Sequence, residues 1–230
     1  MKPRILVLIT VTITLAALAI PDRLQVQGQS QRQLHYTVTD LGNLGGNSFD
    51  EGIDINNQGQ VAGFSSLAGD TTFHSFLWTE DNGIQDLGTL PGDVSSYASG
   101  INNKGQVVGA SNDATGNSHG FLWKNGVMTD LNTLIPASSP LYLPVASQIN
   151  SRGEIVGLAL QTSTGQAHGF LPTPCDEEYV DKKGCAGRAE RAIAVHGGPK
   201  VTVSEKVRKL LRQRLGNRYR TMLDPVAPTD

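Results

Sequence analysis

Short runs of alternating apolar and polar residues fill the chain from residue 34 to residue 172, and glycine- and asparagine-rich turns punctuate them. Alternation with period two is the mark of a half-buried strand. In one stretch, Tyr97–Asn102 runs into a turn at Asn103-Lys104-Gly105, and Gln106–Ser111 returns from it. His119–Trp123 follows and turns at Asn125-Gly126 into Val127–Leu131. Gly105 can adopt the positive φ that such a turn needs, and Asn-Gly is a strong hairpin signal. Asn82-Gly83 repeats that signal earlier in the chain. No helical periodicity interrupts the region. The pattern predicts an all-β domain over 34–172 with about four strands per unit.

The pattern is also a repeat. The phrase DLGNLGG at 40–46 returns as DLGTLPG at 86–92 and DLNTLIP at 130–136. INNQGQVAG at 55–63 returns as INNKGQVVG at 101–109 and INSRGEIVG at 149–157. HSFLW at 74–78 returns as HGFLW at 119–123 and HGFLP at 168–172. The first two phrases return after 44 to 48 residues, in the range of propellers, solenoids and related arrays. Units of about 40–85, 86–129 and 130–172 follow. The expected architecture is a β-propeller-like array of three four-stranded units, with a β-trefoil as the alternative. Propellers usually have four to eight blades, so three units suggest a partial ring or a dimer completing a larger one. The last unit stops after HGFLP, whereas LHYTVTDL at 34–41 precedes the first and matches the fourth-strand segments IQDL and VMTDL. Residues 34–41 are therefore expected to close the last unit and hide a sheet edge.

The ends differ from this body. Lys2 and Arg4 precede an uncharged apolar run from Ile5 to Ile20, with Ala17 and Ala19 spaced as at a cleavage site and Gly28 as a later cut. The run has 16 residues, short of the ~20 that a spanning helix needs. Residues 1–28 thus read as a secretory signal peptide. No other segment is apolar enough to span a membrane as a helix, so the product is expected to be secreted, extracellular or periplasmic. In an oxidising compartment, Cys175 and Cys185 are expected to form a disulfide.

Charge sharpens the division. The chain carries a formal net charge of −2. This total conceals −9 over 34–172 and +4 over the tail at 173–230. An acidic body gives no case for nucleic-acid binding. In the tail, Thr202 and Glu205 form a capping-box pattern. Val203, Val207, Leu210, Leu211 and Leu215 then make one apolar stripe, so a basic helix over 203–215 is expected. It could lie on an anionic surface, dock on the acidic body, or stay disordered without a partner.

The three phrases, in this order, resemble the HAF repeat family of bacterial extracellular repeat proteins over about 36–172. The family pattern is approximately D-L-G-x-L-G-G, I-N-x-x-G-Q-V-V-G and H-A-F-L-W. Here Ser75, Gly120 and Gly169 replace the alanine, Asn132 replaces a glycine, and Pro172 replaces the tryptophan. The resemblance implies secretion and repetition, and no known reaction. Members with varying unit numbers favour a propeller-like array over a trefoil.

Recurring polar residues are the candidate chemistry. His74, His119 and His168 could converge on zinc, which accepts three imidazoles; as structural residues they would bridge strands. Asp40, Asp86 and Asp130, with Asn56, Asn102 and Asn150, are expected to stabilise turns. A calcium loop beginning at Asp54 would need a bidentate acid where Ser65 stands. Neither metal is required by the sequence. Trp78 and Trp123, with Phe76, Phe121 and Phe170, suit a buried strand better than a carbohydrate platform. No nucleophile elbow, HExxH, P-loop or paired-carboxylate motif occurs, and Ser65 and Ser111 lack an activating context. The expectation is a secreted, non-enzymatic interaction or structural module. Its partner would be a protein or a cell-surface glycan, and a homo-oligomer is left open. The alternative is an exported hydrolase or lectin-like protein with a loop-built site.

Overall fold

The computed structural model describes residues 34–175. The leader at 1–28, Cys185 and the segment 203–215 lie outside the described residues. The chain divides into two units, Met1–Thr39 and Asp40–Asp230. In the first, residues 34–39 form no strand, and Leu34, Tyr36 and Val38 are exposed.

Three separate antiparallel sheets make up the second unit. The first sheet contains β1 (Gly45–Ile55), β2 (Val61–Leu67), β3 (Phe73–Thr79) and β4 (Gly83–Asp86) in sequential order. The second contains β5 (Asp93–Ile101), β6 (Val107–Asp113), β7 (Ser118–Lys124) and β8 (Val127–Asp130). The third contains β9 (Leu141–Ile149), β10 (Ile155–Gln161) and β11 (Ala167–Phe170). These strands correspond to those predicted from the alternation. Asn125 and Gly126 both take positive φ, 52° and 82°, as an Asn-Gly hairpin requires.

Two expectations need correction. No named strand pairs with a strand of another unit, so the closed barrel of a trefoil is not formed. Nor does the third sheet have four strands among the described residues, where 34–41 forms none. The phrase following that segment is anchored on the first sheet instead. Leu44 N donates to Ser65 Oγ at 2.8 Å, and Leu44 bridges to Leu67. Sheet packing runs from the first to the second and from the second to the third.

Each unit carries a bulge at the same place. Pairing steps past Ile53 in β1, Ser99 in β5 and Ser147 in β9. An extra residue there increases twist and breaks the ladder. A glycine lies opposite each bend. A Cβ on Gly63, Gly109 or Gly157 would come within 2.0–2.2 Å of a carbonyl oxygen of the bulged strand. The glycine that ends every INxxGxxxG phrase is thus demanded by close backbone approach.

The core lies between the sheets. Ala62 and Leu77 of the first sheet cluster with Ala98 and Ile101 of the second. Val108 of the second clusters with Ala146 and Ile149 of the third, with Leu122 packed against them. The same positions build both junctions. The alternating Phe and Leu of β3 put Phe76 and Leu77 on opposite, buried faces.

Candidate functional site

The recurring asparagines sit where each first strand turns into the second. Asn56 Oδ1 accepts from the N–H groups of Gln58 and Gln60, both at 3.0 Å. Asn102 does the same for Lys104 and Gln106, and Asn150 for Arg152 and Glu154. This local Asx capping agrees with turn chemistry. The amide Nδ2 reaches further. Asn56 donates to Asn102 O at 3.0 Å, and Asn102 donates to Asn150 O at 2.9 Å. One ladder therefore crosses both junctions, and Asn56 and Asn102 are buried in it. Other groups strengthen it. Asp54 accepts from Ile101 N at 2.9 Å, and Ser99 donates to Ala146 O at 2.6 Å. Residues repeating at the unit spacing on stacked turns are brought into register, which was the available signal for contact across units.

The recurring aspartates cap turns, two of them at the ends of β4 and β8. Asp40, Asp86 and Asp130 accept from the N–H two residues on, Gly42, Gly88 and Asn132, at 3.0, 2.7 and 2.8 Å. The third turn departs from the others. With Asn132 in place of glycine it winds into a 3-10 turn over Leu131–Thr133. Leu134 N then bonds Leu131 O, whereas Leu44 and Leu90 donate to Ser65 and Ser111 Oγ. Ala159 stands at the matching position of β10 and has no hydroxyl to offer.

The histidines go to carboxylates of their own sheets. His74 Nδ1 lies 2.9 Å from both oxygens of Asp86. Burial pushes the Asp86 carboxyl up, but His74 and the Gly88 N–H together hold it below its usual range. His119 Nδ1 lies 3.1 Å from Asp93. Burial pushes the His119 pKa down; the bond to Asp93 and the charges of Asp93, Asp130 and Asp113 outweigh it and raise the pKa above 6.5. His168 is exposed on β11. No group of three or more His, Cys, Asp or Glu suited to a metal occurs among the described residues. In the candidate calcium loop, Asp54 is bonded to Ile55 N and Ile101 N. Ser65 lies in β2 and donates to Asp50.

Buried serines are a feature that the sequence reading missed. Ser96 Oγ accepts from Ser75 N at 2.8 Å and donates to Gly88 O. Ser95 Oγ accepts from Phe73 N. These hydroxyls tie the turn after β4 and the start of β3 onto β5. The signal was the Ser-Ser pairs at 65–66 and 95–96 within strand patterns. Trp123 is buried in the junction core, and Trp78 is half-buried. Cys175 is disulfide-bonded.

Among the described residues, no helix is long and apolar enough to cross a membrane. The chain has no match among curated proteins. Residues 27–185, which include every described strand, match a family described as protein of unknown function (DUF3466). The chain belongs to that family.

Proposed function

We propose that the chain is an exported, non-enzymatic interaction module of the HAF repeat type, built as a propeller-like stack of sheets. One observation carries the reading: most of the recurring polar side chains are occupied in hydrogen bonds that build the sheets or join them. Asn56 and Asn102 join successive turns, His74 and His119 engage carboxylates, and the aspartates cap turns. Repetition thus serves construction, and the surface is left for binding. Matching positions pack at both sheet junctions, Ala62 and Leu77 against the second sheet and Val108 and Leu122 against the third, which suits successive blades. The apolar leader and acidic body suit export and a protein or glycan partner.

The test has two arms. Fractionation of producing cells should find a product shortened at its N-terminus outside the cytoplasm; intact product confined to the cytoplasm overturns export. Purified protein should bind cell-surface polysaccharide or surface protein by surface plasmon resonance, without turning over ester, glycoside or peptide substrates. Turnover that copurifies through several columns overturns the non-enzymatic reading.

A further inference from the structure

Equivalent positions in the three units are buried very unequally at the two ends of the stack. Ile101 and Ile149 are buried against the preceding sheet, whereas the matching Ile55 is 64% exposed. Leu143 is buried, whereas its counterpart Phe49 is 46% exposed. The opposite face shows the converse. Ala62 and Val108 are fully buried against the following sheet, whereas Val156 is 43% exposed. Leu77 is buried, but Leu171 is 62% exposed. The first sheet thus presents an uncovered leading face and the third an uncovered trailing face. Within the chain these two faces meet twice, at the first–second and second–third junctions.

The strand inventory shows a matching imbalance. β3 and β7 have outer partners in β4 and β8, and β11 has none among the described strands. Residues 34–41 carry the matching sequence, and Val38, the counterpart of Ile84 and Met128, is 96% exposed. Pro172 does not block the edge. Its carbonyl accepts from Ile155 N at 3.1 Å. In an extended strand, N and O of one residue point to the same side. The missing N–H therefore faces β10, and the outer edge keeps its donors.

From these observations we infer that the occupant of both faces is a second copy of this chain, joined head to tail in a two-fold ring of six sheets. Ile55 and Phe49 of each copy would pack against Val156 and Leu171 of the other. Residues 34–41 would add a fourth strand to the other copy's β11, placing Asp40 opposite Phe170 as Asp86 lies opposite Phe76. The Asn150 amide would meet the Asn56 carbonyl of the second copy, continuing the ladder. Two copies are specified because six is the only multiple of three units within the usual four to eight blades. This inference rests on the propeller-like reading above.

Light scattering on the purified protein, with its tail, tests it. The wild type should have twice the chain mass. Ile55→Glu and Val156→Glu should each give the single mass, with dissociation constants raised at least 100-fold. Val127→Glu, at an exposed position of the middle sheet, should leave the double mass intact. Both test positions are exposed within one chain, so circular dichroism and melting of the separated copies should be preserved. Loss of fold in both variants would place these side chains inside a single chain and overturn the inference. A monomeric wild type, or a dimer indifferent to both substitutions, overturns it while sparing the propeller-like reading. An open series of larger species overturns the ring and that reading together.

Discussion

The second and third sheets contain nearly the same words and occupy different environments. β7 carries His119-Gly120-Phe121 with Phe121 fully buried. β11 carries His168-Gly169-Phe170 with its histidine and glycine exposed and its phenylalanine half-buried. β7 has β8 on its outer side, and the sheet that contains it is packed on both faces. Among the described residues β11 has no outer strand, and Val156 and Leu171 on the trailing face of its sheet are exposed. A repeat phrase therefore specifies strand, turn and pairing; burial is supplied by the neighbour. Apolar burial scales with the area that a neighbour removes from water, so equal sequences are unequally stabilised.

The largest expected break in this contrast comes from the phenylalanines. Phe121→Ala should destabilise by about 4 kcal/mol, the usual scale for emptying a packed aromatic site. Phe170→Ala should lose less than half as much, measured by urea denaturation. Equal losses would show that Phe170 is as enclosed as Phe121 and would remove the contrast.

Next come the close-approach glycines. A Cβ on Gly109 would meet Tyr97 O at 2.0 Å and the Phe121 ring at 2.8 Å. Gly109→Ala should cost about 3 kcal/mol, at the upper end of ordinary overpacking. Gly157→Ala meets Val145 O at 2.2 Å and the Phe170 ring at 2.7 Å; the ring can give way because β11 can shift on its open side, although the carbonyl contact remains. Its cost should be about 1 kcal/mol lower. A reversed order in melting temperature would place the rigid unit at the other end of the stack.

The asparagine ladder sharpens the contrast at smaller scale. Asn102→Ala removes the Asx cap, which accepts from the Lys104 and Gln106 N–H groups, and the bond to Asn150. A loss of about 2 kcal/mol is expected, because the site is buried and its partners are left unsatisfied. Asn150→Ala acts at an exposed turn and should lose less than 1 kcal/mol. Hydrogen exchange at Lys104 and Gln106 would show the first effect residue by residue.

Much of this was legible in the sequence because two signals coincide. Alternation gave the strands, and the 44–49-residue spacing of the phrases gave the units. Turn chemistry located Asn56, Asn102 and Asn150 at the hairpins. What it could not supply was the partner of their amides, which lies a full unit away. Local propensity contains no term for a neighbouring sheet. The His119–Asp93 pair was hidden for the same reason: 26 residues and a sheet register separate the two. The segment 34–41 resembles β4 and β8 but forms no strand, because a strand exists only where an edge is available to it. The third unit's 3-10 turn follows from Asn132 and Ala159 together. Neither substitution signals the change when read alone.

The smallest expected effect is a pH dependence confined to the second sheet. His119 faces Asp93, with Asp130 and Asp113 contributing charge and the Tyr142 ring packed edge-on. Burial alone would disfavour the imidazolium, but these carboxylates outweigh it and raise the folded pKa above 6.5. A raised folded pKa means that protonation favours the fold. This contribution is complete below the unfolded pKa, about 6.5, and is lost as pH rises through the folded pKa. The melting temperature should therefore fall by a few degrees between about pH 6 and about pH 8. His119→Gln should flatten that slope, and Asp93→Asn should flatten most of it. The third sheet has Leu141 where the second has Asp93, so it cannot reproduce this pair. A slope that survives both substitutions would assign the pH response to groups outside the second sheet.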